Sequence, residues 1–313
     1  MHRVIPYAAP LPEPGRAAMA GLRWPALSRG LAGLADPERD DTFDEWSLTP
    51  PHERAVATAL EWNVSDGLVP TAAWAAADDG IASASAALAP EATERSAFAL
   101  LTPAHWHVGA EQLRMEDPAA LQLDEAASRA LLAVVAPLFT SEGFAVHWGA
   151  PERWYLEHPM LATVPTASLQ RVVGRNIDAW LGSGPALRLL RRLQNEVQML
   201  LHEHPLNEAR ESRGRLPVNS VWISGTGPTQ PLRDPRPQVD DRLVAPALVG
   251  DWPAWADAWA QLDAELAAQP WTVLTLCGER GAITWRREAA APWWKAAMAR
   301  LRGVDVAAAL EGL

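Results

Sequence analysis

The sequence predicts an α/β protein: a core sheet with helices on both faces and an inserted α+β domain. Three observations predict it. Short apolar runs alternate with helical periodicity at the two ends, in 1–95 and 216–313. The middle, 96–215, carries hairpin signals instead. The late runs RLVAPALVG and TVLTLCG lack polar alternation, as interior parallel strands do.

The elements follow in order. Residues 4–8 are an apolar segment that suits a buried strand ending at a loop. PALSRGLAGL, 25–34, has apolar residues at helical spacing and a proline in its first turn. The acidic stretch 36–44 reads as an exposed loop. In SLTPPHER, 47–54, Thr49, the prolines and Glu53 form a helix-start signature ahead of AVATALEW. Residues 75–95, rich in Ala, Ser and Asp, read as a loop or a weak helix. FALLTPAHWHV, 98–108, reads as a strand pair interrupted at its proline, and QLRMED as another short strand. Residues 124–140 form a strongly apolar helix, and GFAVHWG with RWYLEHP an antiparallel hairpin. A long helix spans 185–202, with Leu187, Leu190, Val197 and Leu200 on its apolar side. Pro and Arg gather in 228–237, a surface loop. RLVAPALVG and TVLTLCG follow as strands, and helices fit 252–266 and 292–301. No internal repeat is visible.

Composition narrows the function classes. The 313 residues are 49% apolar and 21% charged, the balance of a globular protein. With 27 basic and 38 acidic residues the net charge is −11, which repels phosphate backbones and anionic lipid. Neither nucleic acid nor membrane is an expected partner. Cys277 is the only cysteine, so no intrachain disulfide is possible, in keeping with a reducing compartment. The opening MHRVIPYAAPLPEPG has four prolines and no apolar h-region, and no apolar run reaches the length of a membrane span. The expected location is cytoplasmic. Tryptophan is over-used, 16 residues against 4 Phe and 2 Tyr. Indoles filling core slots account for this most simply, with a minority lining a binding surface.

Two stretches carry a family resemblance. NEVQMLLHEHPLNEARESRGRLPVNSVWISGTG, 195–227, is similar to a segment of the archaeal-type cofactor-independent phosphoglycerate mutases. The shared positions are Asn195, Glu196, His204, Pro205, Asn207, Arg210, Gly214, Pro217, Asn219, Gly225 and Gly227. TPPHERAVATALEW, 49–62, resembles the mutase stretch that holds the phosphorylated serine. Aligning Leu60-Glu61-Trp62 with the family's Leu-Gly-Tyr puts His52 at the serine and Glu53 at an aspartate. The resemblance covers roughly 1–227 and implies an alkaline-phosphatase-like core sheet. The whole chain also resembles the proteobacterial regulatory proteins of the Rpf (regulation of pathogenicity factors) cluster, E member, through SLTPPHERAVA, FAVHWGAPERWYLEHP and LTLCGER. Metal-dependent mutases need an Asp after the first strand and late Asp and His ligands. Here the first strand ends in Pro6-Tyr7-Ala8-Ala9, and no His follows His204. The resemblance therefore implies neither metal nor other cofactor, and no catalytic residue is assigned.

Each candidate constellation has a bland counterpart. Asn207, Arg210 and Asn219 surround what reads as a loop entering a strand. They are either anion ligands, since a guanidinium fork bonds two oxygens, or a buried network capping backbone groups. His52 and Arg54 sit at a helix N-terminus, which favours an anion. Arg280 follows a strand's carboxyl end, where α/β folds place ligands. Gly225-Thr226-Gly227 is either an anion nest or a tight turn. His105, His107 and His147 are either a zinc site across neighbouring strands or exposed polar residues. His202 and His204 suit a helix C-terminus better than a metal.

The expected function is a non-catalytic or regulatory mutase-like protein that binds a small phosphate- or carboxylate-bearing metabolite. The ligand-binding residues would be His52, Arg54, Asn207, Arg210, Asn219 and Arg280. The alternatives are an active phosphoesterase or phosphomutase with a non-standard site, and an adaptor that binds a protein partner through exposed Trp.

Overall fold

The computed structural model describes all residues except 33, 43, 93–94, 110–111, 183, 269–270 and 288–303. The helix expected at 292–301 lies outside the described residues. The chain divides into two compact units, Met1–Trp62 with Arg233–Leu313, and Asn63–Leu232.

Along the chain, β1 (His2–Ala9) is followed by α1 (Glu13–Gly21), α2 (Pro25–Leu31), β2 (Glu38–Asp40) and α3 (Pro51–Ala59). The second unit opens with α4 (Thr71–Asp78), α5 (Ala82–Leu88), β3 (Phe98–Ala104), β4 (Trp106–Val108) and β5 (Leu113–Met115). It continues through α6 (Glu125–Thr140), β6 (Ala145–Ala150), β7 (Arg153–Glu157), α7 (Leu169–Val172), α8 (Pro185–Leu201), α9 (Pro205–Glu211) and β8 (Ser220–Ser224). The first unit resumes with β9 (Gln238–Val239), α10 (Val244–Val249), α11 (Trp252–Ala268), β10 (Val273–Gly278), β11 (Ala282–Arg286) and α12 (Val306–Leu310).

The first unit holds a five-stranded sheet ordered β2-β11-β10-β1-β9. β1 runs parallel to β10 and β9, whereas β11 is antiparallel to β10 and β2. Opposite ends of the sequence thus share one sheet, Val4 beside Thr275 and Ile5 beside Leu276, and the fold is α/β as its alternating pattern predicts. Ile5, Leu274 and Leu276 pack with Leu27 of α2 and with Trp255, Trp259 and Leu262 of α11. Trp24, Trp259 and Trp255 meet edge-on, with ring centroids 5.7 and 6.4 Å apart. Indoles do fill core positions: Trp154, Trp255, Trp259 and Trp271 are among the largest fully buried side chains, while Trp46 is 63% exposed.

The second unit is α+β. Its four-stranded sheet, β6-β7-β3-β8, is antiparallel throughout. Leu131, Val135 and Phe139 of α6 and Leu193 and Val197 of α8 pack in one core with Trp154 and Leu156 of β7. The expected hairpin forms with Val146 opposite Leu156.

Several local expectations are corrected. RLVAPALVG forms helix α10 instead of a strand. Pro246 lacks the donor a central strand needs, and a short apolar run does not by itself separate strand from buried helix. The acidic stretch 36–44 contains β2, a three-residue edge strand on β11 whose charged side chains suit an edge. Of the two readings of 75–95 the helical one holds, because α4 and α5 bury Ala72, Ala76, Ala84 and Leu88 against Phe98. The helix-start signature at 47–54 does open a helix: α3 begins at Pro51, with Pro50 as its N-cap and Glu53 in its first turn. The pattern assigns 63–95 and 216–232 to the core. Both stretches lie in the second unit, where α4 packs on β3 and β8 pairs with it.

Candidate functional site

In open α/β sheets ligands bind beyond the carboxyl ends of the strands. Here β1 ends in Tyr7-Ala8-Ala9, and Tyr7 has φ 54°, a left-handed conformation that costs a non-glycine residue about 1–3 kcal/mol. Indole N–H groups of Trp255 and Trp259 donate to the Tyr7 and Ala8 carbonyls at 3.0 and 3.2 Å, holding the bend. Helix α3 lies against β1 and β10. Its first turn brings buried His52 to the Tyr7 ring, centroids 6.3 Å apart.

Arg54, also buried, spends its guanidinium on the fold. It donates to the Thr49 carbonyl at 2.6 Å, to the Arg280 carbonyl at 3.3 Å and to Asp40 at 3.3 Å. Burial pushes the Asp40 carboxyl up, but hydrogen bonds from Thr42 and the Arg54 charge outweigh it and hold Asp40 below its ordinary value. Cys277, at the end of β10, is fully buried, and burial pushes its thiol far up, so it is no nucleophile.

The turn after β10 is the more open part. Buried Glu279 accepts the Leu11 N–H at 3.1 Å. Arg280, with its side chain 48% exposed, grips both carboxylate oxygens of Glu45 at 2.7 and 2.9 Å. His52, Arg54 and Arg280 therefore gather at one end of the first unit's sheet.

Asn207, Arg210 and Asn219 lie in the second unit. α9, a helix and not an open loop, carries the first two. The Asn207 amide donates to the Leu201 and Val218 carbonyls at 3.0 and 2.8 Å and accepts the Val218 N–H at 2.9 Å. Arg210 donates to the Leu216 carbonyl at 2.9 Å and to the Leu121 carbonyl at 2.5 Å. Burial, with Arg215 nearby, holds its guanidinium below the ordinary value although Asp124 opposes this. Asn219 mimics a strand, accepting the Trp106 N–H at 2.7 Å and donating to the Trp106 carbonyl at 2.9 Å.

Gly225-Thr226-Gly227 is a packed turn. The Gly227 N–H donates to the Leu161 carbonyl, and Thr226 Oγ1 donates to the Val164 carbonyl at 2.6 Å. A Cβ on Gly225 would lie 2.6 Å from Thr71 Oγ1, and one on Gly227 would strike the Leu68 backbone. Of the histidines of the zinc reading, His105 and His107 meet, with ring centroids 4.5 Å apart, but His147 lies away from them along β3. His105 follows its Ala104 end and donates to the Pro217 carbonyl, while His147 lies by Phe98 at the other end and bonds Glu157 at 3.0 Å. Seven strand residues put roughly 20 Å between those ends. His204 accepts the Leu206 N–H as N-cap of α9. Among the described residues, no three His, Cys, Asp or Glu side chains are placed to hold a metal ion. No described helix is long and apolar enough to cross a membrane.

Sequence reasoning missed Tyr7 and Glu45. A positive φ leaves no mark on a tyrosine, and Glu45 is one acid among several in its stretch.

No family model matches the chain. A stretch of 57 residues, 18% of the chain, is 35% identical to a 2,3-bisphosphoglycerate-independent phosphoglycerate mutase of Methanothrix thermoacetophila and spans only 14% of that protein. Among solved structures, the chain is similar to a cofactor-independent phosphoglycerate mutase of Thermoplasma acidophilum, with 13% identity, a TM-score of 0.37, and 93% of this chain and 91% of that one covered. It is also similar to a Pyrococcus horikoshii protein, with 11% identity, a TM-score of 0.41, and coverage of 96% and 92%.

Proposed function

We propose that the chain is a regulatory, non-catalytic phosphoglycerate-mutase-like protein that takes a small phosphate- or carboxylate-bearing metabolite at the turn after β10. The Arg280–Glu45 pair carries this reading. A guanidinium at the end of an interior strand holds a carboxylate through two bonds, at 2.7 and 2.9 Å, as it would hold a ligand's carboxylate or phosphate. The pair is substantially exposed, 48% and 27%, and such pairs contribute little to folding, so an incoming anion replaces Glu45 at small cost. Arg54 supports the seat from behind through the Arg280 carbonyl. Asn207, Arg210 and Asn219 act as clamps within their own unit, because their hydrogen bonds go to backbone. The regulatory assignment draws on the resemblance to the Rpf-cluster proteins.

The donor set does not fit the metals of the mutases. β1 ends in Tyr7 and two alanines where those enzymes need an Asp, and His52 stands at the serine position. Asp40 and Glu45 are each engaged by an arginine, and two guanidinium groups oppose a divalent cation here.

With phosphoglycerate and Mn²⁺, Mg²⁺ or Co²⁺, the purified protein is expected to show no mutase turnover. Phosphoglycerate alone is expected to raise its melting temperature, an increment lost in Arg280→Ala. Metal-stimulated turnover that disappears in His52→Ala overturns the non-catalytic reading. A wild-type protein whose melting ignores phosphoglycerate overturns the anion reading.

A further inference from the structure

The segment 306–313 lies across the carboxyl end of β10. Val306, Leu310 and Leu313 are buried in the first unit's core. The main-chain oxygen of Leu313 accepts the N–H of Arg280 at 2.6 Å and that of Gly281 at 3.1 Å. Two successive amides converging on one oxygen is the arrangement that binds anions in backbone nests. Gly278 makes room for it: a Cβ there would lie 2.5 Å from the Leu313 oxygen and 2.7 Å from its Cβ. On the other side, Arg39 donates to the carbonyls of Ala309 and Glu311 at 3.1 and 3.0 Å. These polar ties of the segment all run to main-chain oxygens. The same turn carries the Arg280 guanidinium with Glu45 on it. Both kinds of donor that an anion would use here, amide and guanidinium, are thus filled by oxygens of the chain itself.

We infer that 306–313 is an intramolecular strap that fills the amide half of an anion seat whose other half is the Arg280 guanidinium. Release of the strap opens the seat to the phosphate or carboxylate of a small ligand. The inference rests on the anion-binding reading for its ligand class. It adds control by a segment that reading does not use.

Two variants test it. Gly278→Ala keeps every core side chain and pushes on the Leu313 backbone, whereas a chain ending at residue 305 lacks the strap. Inorganic phosphate is the probe, titrated by NMR alongside hydrogen exchange of the Arg280 and Gly281 amides. The expected result is exchange at both amides about tenfold faster in Gly278→Ala, and phosphate bound about tenfold more tightly by both variants than by the wild type. Unchanged exchange in folded Gly278→Ala, or wild-type phosphate affinity in either folded variant, overturns the strap. If neither variant folds, the segment is an integral part of the core, which also overturns it. Faster exchange with no response to phosphate in any protein, the wild type included, sinks the anion reading and the gating with it. A wild-type response matched by both variants sinks the strap alone.

Discussion

The indole N–H of Trp255 donates to the carbonyl of Tyr7 at 3.0 Å, joining the first turn of α11 to the one residue of β1 with a left-handed backbone. Trp255 is fully buried, so its replacement by phenylalanine removes this bond and opens a void. Trp255→Phe is expected to lose about 2–4 kcal/mol in urea unfolding. A loss below about 1 kcal/mol would mean that the bend of β1 does not depend on this bond.

Ser128 is a second polar hub in an apolar setting. Its hydroxyl accepts the Trp154 and Trp148 indole N–H groups at 2.9 and 3.1 Å and donates to the Pro151 carbonyl at 2.8 Å. Ser128 is fully buried. Ser128→Ala strands these groups and is expected to lower stability by about 1–3 kcal/mol, more than its small change in volume explains. A neutral substitution would show that water satisfies the indoles.

What the sequence revealed depended on whether neighbours or distant partners decide a segment. Helices α6, α8 and α11 have long apolar periodicity, and the β6–β7 hairpin has alternation, so the pattern alone found them. β10 reads as a short apolar run broken only by Thr275. α10 has the same appearance over RLVAPALVG, and only packing against α11 and β1 makes it a helix. β2 and β9 are three and two residues long and exist through pairing with β11 and β1, which no local signal announces. The candidate site follows the same division. Arg280 was legible from its place after a strand, but its Glu45 partner lies 235 residues away in sequence. The shared motif marked Asn207 and Arg210 without saying that their partners are backbone carbonyls.

Those carbonyls make Arg210 a direct test. Loss of a charged donor from two backbone acceptors costs about 2–4 kcal/mol. Arg210→Ala is therefore expected to unfold at lower urea concentration while its folded fraction responds to phosphoglycerate like the wild type. A variant of unchanged stability with weakened ligand response would make Arg210 a ligand group instead of a clamp.

The last prediction concerns pH. His2 bonds Thr275 Oγ1 at 2.9 Å, with Thr284 Oγ1 a further 2.9 Å from that hydroxyl. Burial, followed by the nearby Arg286 and the terminal amine, pulls its pKa down from 6.5 to about 4. In the unfolded chain the imidazole takes its proton near pH 6.5; in the folded protein it stays neutral to about pH 4. Between those values the unfolded state binds more protons, so acidification favours unfolding. The His2 contribution is thus complete above pH 6.5, is lost as the pH falls, and stops changing below about 4. Asp40, Asp79 and Asp240, all held below their ordinary values, add their own acid sensitivity at lower pH. His2→Gln keeps a side chain able to bond Thr275 but cannot titrate. Its urea midpoint is expected to fall less between pH 7 and pH 4.5 than that of the wild type, with the two curves diverging below pH 6.5. Parallel curves across that window would show that His2 protonates alike in the folded and unfolded chain.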